Sequence, residues 1–284
     1  LTLLLCSALI AWAGWSGILR HLPSRENLPA TLIALTLALL FTLLKSLKWW
    51  LMLHQQEPSI SWRTAGRSYL VGMAGGLLTP GRVGELSRAL TLGQIERASV
   101  VALTLLDRFL DLWVVALLAL PGLARFSGRG PSWLLPLLAL LGLPLLILSK
   151  TPPAGPLAWL HRRSAAKGGV VKKLLSAGEA IFRIPRRHLL CWLGLSGLGY
   201  AVVLLEFHWL LGGPSQYSFH TILLCLPLIM LANILPFTLS GLGVREGLSA
   251  ALLATFDVPA GLAISAAFQL FLFNTALPAL AGGA

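Results

Sequence analysis

Long apolar runs separated by short polar connections recur along the whole chain. The runs are long enough for helices that cross the hydrocarbon core of a bilayer, which takes about 20 residues. No stretch shows the short alternating segments that are typical of a membrane β-barrel. The pattern therefore predicts an all-α polytopic membrane protein with about six full transmembrane helices. The predicted spans are residues 1–19, 28–53, 98–120, 133–149, 189–211 and 258–280.

Two further apolar segments, 68–92 and 219–253, are interrupted by glycine and proline, which weaken or break a helix. A re-entrant hairpin of two short helices explains each segment better than one straight span. Non-helical backbone at membrane depth is tolerated only where protein or a wet cavity covers it. The interrupting residues are Gly75, Gly76, Pro80, Gly81 and Gly84 in the first segment and Pro227, Pro236, Gly241 and Gly243 in the second.

The basic residues predict the orientation. The connection 150–188 holds nine Lys or Arg and one Glu, and such loops lie in the cytoplasm. Counting spans from there places 54–67 inside as well, and places 121–132 and 212–217 outside.

The order of elements then predicts an inverted-topology repeat within one integral membrane domain, 1–284. Each half, 1–121 and 131–284, contains two spans, a hairpin and a span, and the two halves start on opposite sides of the membrane. Transporters built in this way bind their substrates near the midplane, at the interface between the repeats.

Composition agrees with a bilayer environment. Of 284 residues, 56% are hydrophobic and 11% are charged, whereas soluble domains are about a quarter charged. The net charge of +12 comes from basic residues beside apolar spans, which favours contact with anionic lipid over nucleic acid. We expect a multi-pass protein of the cell membrane that can form homo-oligomers. Cys6, Cys191 and Cys225 are isolated, so we predict no disulfide, metal or cofactor.

The first hairpin carries Arg82, Glu85 and Arg88, although a charge at membrane depth costs at least ~2.5 kcal/mol. Glu85 and Arg88 are three residues apart and share one helical face. Arginine forks match phosphate oxygens, and the N-terminus of a half-helix offers N–H groups to an anion. We predict that these residues bind a phosphate-bearing lipid headgroup; the alternative is a structural ion pair.

The second hairpin carries Arg245 and Glu246. We expect Arg245 to face the first hairpin as a further phosphate ligand, and Glu246 to pair with Arg82 or Arg88. The alternative is local capping of a half-helix. Asn233 and Ser240 are expected to line the same cavity.

The span 98–120 carries a third charged group. Asp107 and Asp111 lie four residues apart on one face, so they need a cation opposite them. Arg108 points elsewhere on the helix, so we expect an arginine from a hairpin to be that cation. The two carboxylates either take part in proton coupling or orient the hairpin arginines.

Other polar residues are predicted to lie at the edges of the spans. Lys45 and Lys48 are interpreted as snorkelling cations beside interfacial tryptophans Trp49 and Trp50. Glu206 and His208 are also interpreted as interfacial. Asp257 is interpreted as a helix cap.

Three motifs resemble those of the lysylphosphatidylglycerol synthase membrane-region, or flippase-like, family, which includes the membrane part of the multiple peptide resistance factor. They are TPGRVGELSRAL at 79–90, LLDRFLDL at 105–112 and LPFTLSGLGVREG at 235–247, in the family's order. The resemblance implies an integral membrane protein that moves lipid between leaflets, without the soluble domain that aminoacylates it. It carries over Pro80, Gly84, Glu85, Arg88, Asp107, Arg108, Asp111, Pro236, Gly243, Arg245 and Glu246.

These observations predict a flippase or scramblase for an anionic lipid, either a phospholipid or a polyprenyl-phosphate type. The alternatives are a transporter of a small soluble anion, a membrane enzyme acting on a lipid phosphate, and an anchor or partner of a lipid-modifying enzyme. The chain lacks G-x-S-x-G, H-E-x-x-H and Walker A motifs, so we predict neither an enzyme nor an ATP-driven pump.

Overall fold

The computed structural model describes residues 28–79, 81–128, 176, 178, 180–182, 184–232 and 241–283. All regular structure in these ranges is helical. The predicted spans 1–19 and 133–149 and most of the basic connection 150–188 lie outside the described residues. The same is true of four predicted hairpin residues, Pro80, Asn233, Pro236 and Ser240.

The helices follow the apolar runs. They are α1 (Leu28–His54), α2 (Trp62–Leu78), α3 (Arg97–Phe126), α4 (Arg186–Leu210), α5 (Phe219–Ala232), α6 (Val244–Ala254), α7 (Ala260–Phe271) and α8 (Leu277–Gly283). A 3₁₀ helix spans Val83–Leu90, and a π-helical turn, Leu272–Ala276, joins α7 to α8.

Three helices in the described part of the chain are long and apolar enough to cross a membrane. They are α1, α4 and the continuous helix Ala260–Gly283. The total of about six spans and two re-entrant hairpins stays a prediction.

Three predicted boundaries are wrong. Helix α3 continues through Pro121 to Phe126, and α5 continues through Pro227. Tertiary packing outweighs the lost backbone hydrogen bonds, because Pro227 is buried in α5 and the residue after Pro121 packs against the backbone of α5. Asp257 does not cap α7, whose N-cap is Pro259. Asp257 instead adopts a left-handed conformation (φ 60°) in the preceding turn.

Helices α1 and α4 pack in opposite directions. The ring centroids of Phe41 on α1 and Tyr200 on α4 lie 6.1 Å apart. Lys48, two turns later on α1, donates to Ser196, one turn earlier on α4. The end of α1 and the start of α4 therefore lie at the same end of the molecule. A first apolar cluster, which includes Leu53, Ile60, Leu92, Val100 and Leu189, fills that end. A second cluster fills the other end and includes Ala34, Leu211, Ile222, Leu253 and Val258.

The chain reverses direction within 62–92, which we call the first reversing segment. Helix α2 starts beside the first cluster, and the 3₁₀ helix returns to it, since Ala65 and Ala89 both belong to that cluster. Gly75 and Gly84 allow the two arms to touch. A Cβ at either glycine would overlap the backbone carbonyl of the other.

A second reversing segment, 219–254, runs from the opposite end. Ile222 near the start of α5 and Leu253 near the end of α6 both belong to the second cluster. After α6, Phe256 packs edge to face on Phe126, at the end of α3, with ring centroids 6.3 Å apart. The two reversing segments therefore extend toward the middle of the molecule from opposite ends.

Candidate functional site

The centre of the molecule contains a buried ion-pair network around two carboxylates of α3. The Nζ of Lys48 lies 2.5 Å from Asp107 and 2.7 Å from Asp111. Lys45 also pairs with Asp111, and Arg88 Nη1 donates to Asp107 over 3.0 Å. The expectation that Asp107 pairs with a hairpin arginine is confirmed by Arg88. Because removing one partner would leave an uncompensated buried charge, these groups form one structural unit.

Lys45 and Lys48 are not snorkelling cations, and that interpretation is wrong. Both side chains are buried, and Lys48 is completely inaccessible. The face of α1 that carries them turns inward to the carboxylates of α3, where Ser196 also accepts from Lys48 over 2.8 Å. Trp49 is likewise buried rather than interfacial.

Arg88 fixes the 3₁₀ helix in place. Its side chain is fully buried, and its guanidinium lies 4.7 Å from the ring centroid of Trp49 and 4.9 Å from that of Tyr69. Such cation–π contacts are strongest when the cation is desolvated. Gly72 makes the space, since a Cβ there would lie 2.5 Å from Arg88 Cγ. Arg88 therefore connects α1, α2 and α3 behind the site.

Glu85 is shared by three arginines. Its carboxylate lies 3.0 Å from Arg82 Nε and 3.4 Å from Arg88 Nη2, and it also pairs with Arg108. One carboxylate neutralises only one unit of charge. The side chains of Arg82 and Arg108 remain 28% and 35% exposed. They can therefore still donate hydrogen bonds to an anion and attract it electrostatically.

Arg245 and Glu246 interact with each other and with the start of α6. Glu246 Oε1 accepts from Arg245 Nε over 3.1 Å, and Oε2 accepts from the backbone N–H of Gly243 over 2.6 Å. The alternative interpretation of Glu246, local capping, is thus confirmed, and its expected pairing with Arg82 or Arg88 is wrong. The guanidinium of Arg245 lies 4.9 Å from the ring centroid of Phe271.

A cavity of about 110 Å³ lies where the two reversing segments approach each other. Arg82 lines it from the first segment, Arg245 from the second, Arg108 from α3 and Lys45 from α1. We call this space the central cavity. The remaining lining residues are Phe41, Tyr69, Met73, Tyr200, Val203, Met230, Leu270, Phe271, Asn274 and Thr275.

The predicted site residues divide into three groups. Arg82, Arg108 and Arg245 line the central cavity, and Glu85 and Glu246 hold them. Arg88, Asp107 and Asp111 lie in the buried network behind it. Gly241 and Gly243 lie in the turn before α6, and Gly84 lies in the first turn of the 3₁₀ helix. Sequence reasoning missed Lys45, Tyr69, Tyr200 and Asn274 as cavity residues.

A second, larger cavity of about 430 Å³ lies beside the start of α2. Arg63, Thr64, Arg67, Val71 and Thr91 line it, and both arginines are exposed. It receives side chains from only one reversing segment. Within the described ranges, no group of three or more His, Cys, Asp or Glu residues is arranged to hold a metal ion.

The chain matches a known family over nearly its whole length. Residues 1–282 match the family described as Lysylphosphatidylglycerol synthase TM region. The chain belongs to this family. No curated protein and no solved structure matches it. The resemblance of the motifs at 79–90, 105–112 and 235–247 is therefore confirmed, and membership of the lysylphosphatidylglycerol synthase membrane-region family indicates a membrane protein with a lipid-related role.

Proposed function

We propose that the protein moves an anionic, phosphate-bearing lipid between the leaflets of the membrane, and that the headgroup binds in the central cavity. One observation carries this proposal: Arg82, Arg108 and Arg245 come from three separate segments and line one cavity. Guanidinium groups suit phosphate because their planar forks donate two parallel hydrogen bonds.

The charge balance supports an anionic ligand. Among the described residues of the central cavity and its buried network, six cations are paired with four carboxylates, which leaves a surplus of two positive charges. Uncompensated charge in a low-dielectric interior is unfavourable, so a dianionic or bridging phosphate group would stabilise the site. The cations are Lys45, Lys48, Arg82, Arg88, Arg108 and Arg245, and the carboxylates are Glu85, Asp107, Asp111 and Glu246.

A lipid fits this site better than a free anion does. Apolar side chains such as Val203, Met230 and Leu270 share the cavity wall with the arginines. A headgroup attached to acyl or prenyl chains would use both surfaces, with the tails remaining in the bilayer. Membership of a lipid-related family supports the same choice.

The two reversing segments are proposed to be re-entrant hairpins that enter from opposite sides. Their approach from opposite ends of the molecule supports this proposal, and so does the inverted repeat expected for halves 1–121 and 131–284. We place the end with the first cluster in the cytoplasm, because the basic connection 150–188 leads into α4 there.

We divide the predicted binding residues by role. Arg82, Arg108 and Arg245 contact the phosphate, while Glu85 and Glu246 orient them. Arg88, Asp107 and Asp111, which sequence reasoning assigned to the substrate, are instead positioning residues. They hold the 3₁₀ helix against α1 and α3, and we propose no covalent chemistry for any of these groups.

Leaflet exchange in liposomes tests the proposal. Purified protein is reconstituted with headgroup-labelled phosphatidylglycerol or a polyprenyl phosphate, and exchange is followed by loss of protection from an impermeant quencher. Losing one charge-assisted hydrogen bond costs about 1.5–3 kcal/mol, so Arg108→Gln or Arg245→Gln should slow exchange roughly ten- to a hundredfold.

Arg63→Gln, in the second cavity, is the matched control and should exchange lipid at the wild-type rate. Uptake of inorganic phosphate without exchange of any labelled lipid would refute the proposal in favour of a soluble-anion transporter. Chemically altered lipid after incubation would refute it in favour of an enzyme.

A further inference from the structure

Glu206 of α4 is a buried acid outside the ion-pair network. Its side chain is fully inaccessible, so its interpretation as an interfacial residue is wrong. Asn274 Nδ2 donates to its Oε2 over 2.6 Å. Within the described residues no cation lies within ion-pair distance of Glu206, in contrast to Asp107 and Asp111, which both pair with Lys48.

The Glu206–Asn274 pair leaves two oxygens unsatisfied. Glu206 Oε1 and Asn274 Oδ1 are both buried, and neither has a hydrogen-bond partner. A carboxylate only accepts hydrogen bonds, whereas a protonated carboxyl group also donates one. A single proton on Oε1 supplies the pair with a hydrogen-bond donor and removes the isolated charge, which is strongly unfavourable away from water. The environment therefore selects the protonated acid.

This pair is connected to the central cavity. Asn274 and Thr275 line the cavity, and both belong to the π-helical turn Leu272–Ala276. π-Helical turns within α-helices are rare and frequently occur at functional sites. Phe271, directly before the turn, packs on the guanidinium of Arg245.

His208, Lys45 and Arg108, on α4 and on helices packed against it, are each already bonded to another group. His208, on α4 itself, is bonded through Nε2 to the carbonyl of Tyr217 over 2.8 Å. Lys45 pairs with Asp111, and Arg108 with Glu85. Helix α7 carries no titratable side chain. Besides Glu206, the titratable side chains on α4 and on the helices packed against it are Lys45, Lys48, His54, Arg97, Asp107, Arg108, Asp111, Arg125, Arg186, Arg187, His188, Cys191, Tyr200, His208, His220 and Cys225.

We propose that Glu206 and Asn274 form a proton-binding site that is coupled to occupancy of the central cavity. This inference rests on the proposed function. One proton binds at Glu206 Oε1 and leaves from it, and no other bond forms or breaks. Release of the proton adds a negative charge beside the cavity and reduces its surplus positive charge. Headgroup affinity therefore falls when Glu206 loses its proton, and by linkage a bound anion holds the proton in place.

Infrared spectroscopy of the purified full chain tests the proton site without requiring transport. At neutral pH the wild-type protein should show the C=O stretch of a protonated carboxyl group, and this band should be missing in Glu206→Gln. Glu57→Gln, in the turn after α1, is the control and should keep the band. A difference spectrum in which Glu206→Gln loses only carboxylate bands would overturn the proposal.

Lipid exchange tests the coupling. Raising the pH should slow exchange by the wild-type protein, whereas Glu206→Gln should show a flat profile because its amide cannot lose a proton. If both proteins exchange lipid with the same pH profile, the coupling is refuted while the proposed function stands. If neither exchanges lipid at any pH and the infrared band is present, the proposed function fails while the proton site stands.

Discussion

Arg82 is the residue in which backbone and side chain are most tightly linked to the proposed function. Its φ of 57° is left-handed, as is that of Gly81 before it (φ 61°). This conformation costs a non-glycine residue roughly 1–2 kcal/mol. The turn is held by Thr79, whose hydroxyl accepts from the backbone N–H of Gly84 over 2.7 Å and donates to the carbonyl of Gly75 over 3.0 Å.

Replacing Arg82 with glycine separates the backbone from the guanidinium. Arg82→Gly relieves the left-handed strain, and this gain roughly offsets the ~0.5–1 kcal/mol entropy cost of an added glycine. We expect thermal stability in detergent close to that of the wild type, with lipid exchange reduced about tenfold or more. Arg82→Ala should be as slow in exchange but less stable than Arg82→Gly. Wild-type exchange by Arg82→Gly would show that this guanidinium does not contact the headgroup.

At this scale the sequence identified most of the charged residues at the central cavity and its buried network, but not how they pair. Arg82, Asp107 and Arg245 were identifiable because each is an expensive residue in an apolar run. Lys45 and Lys48 lie near the end of α1, where snorkelling and inward pairing give the same sequence pattern. Only the face on which α1 meets α3 distinguishes the two.

Among the elements, the first reversing segment depends on close backbone contact. Glycine and proline predicted an interruption in 68–92, and in the structure α2 ends at Leu78 and the 3₁₀ helix begins at Val83. The sequence did not predict that the returning arm is a 3₁₀ helix, because its eight residues are held by Arg88 and Glu85 rather than by helix propensity. The predicted interruptions at Pro121 and Pro227 are wrong because tertiary packing keeps α3 and α5 helical through these prolines.

Gly84→Ala should force the two arms apart. Its Cβ would overlap the carbonyl of Gly75, which is backbone and cannot rotate away, and overpacking typically costs about 1–3 kcal/mol. We expect lower thermal stability and weaker exchange. Gly66→Ala in α2 is the control, because a Cβ there meets no atom within 4 Å, and it should preserve or raise stability. Equal stability of the two variants would contradict the close contact.

For the whole molecule, the two reversing segments extend toward the central cavity from opposite ends, which makes the proposed transport path symmetric. The order of spans and basic loops predicts opposed hairpins from the sequence alone, and the inverted repeat stays a prediction. Periodicity cannot identify which helices pack together, so the contact of α1 with α4 and the inward position of Glu206 required the structure.

Cysteine labelling tests this arrangement. In a background without native cysteines, Ser59→Cys lies in the exposed turn after α1 and Ser215→Cys in the exposed turn after α4. An impermeant maleimide should label the second from outside intact cells and the first only in inverted vesicles. Labelling of both positions from one side would refute the proposed topology.

The two surplus positive charges at the central cavity have an electrical consequence. A membrane voltage of 100 mV acts on each charge that crosses it with about 2.3 kcal/mol. An empty site that carries two such charges is therefore drawn toward the negative, cytoplasmic face, whereas a site filled by a dianion is not. In the proposed transport, the resting potential of the cell would therefore favour the empty site on the cytoplasmic side, and a bound dianion would remove this dependence on voltage.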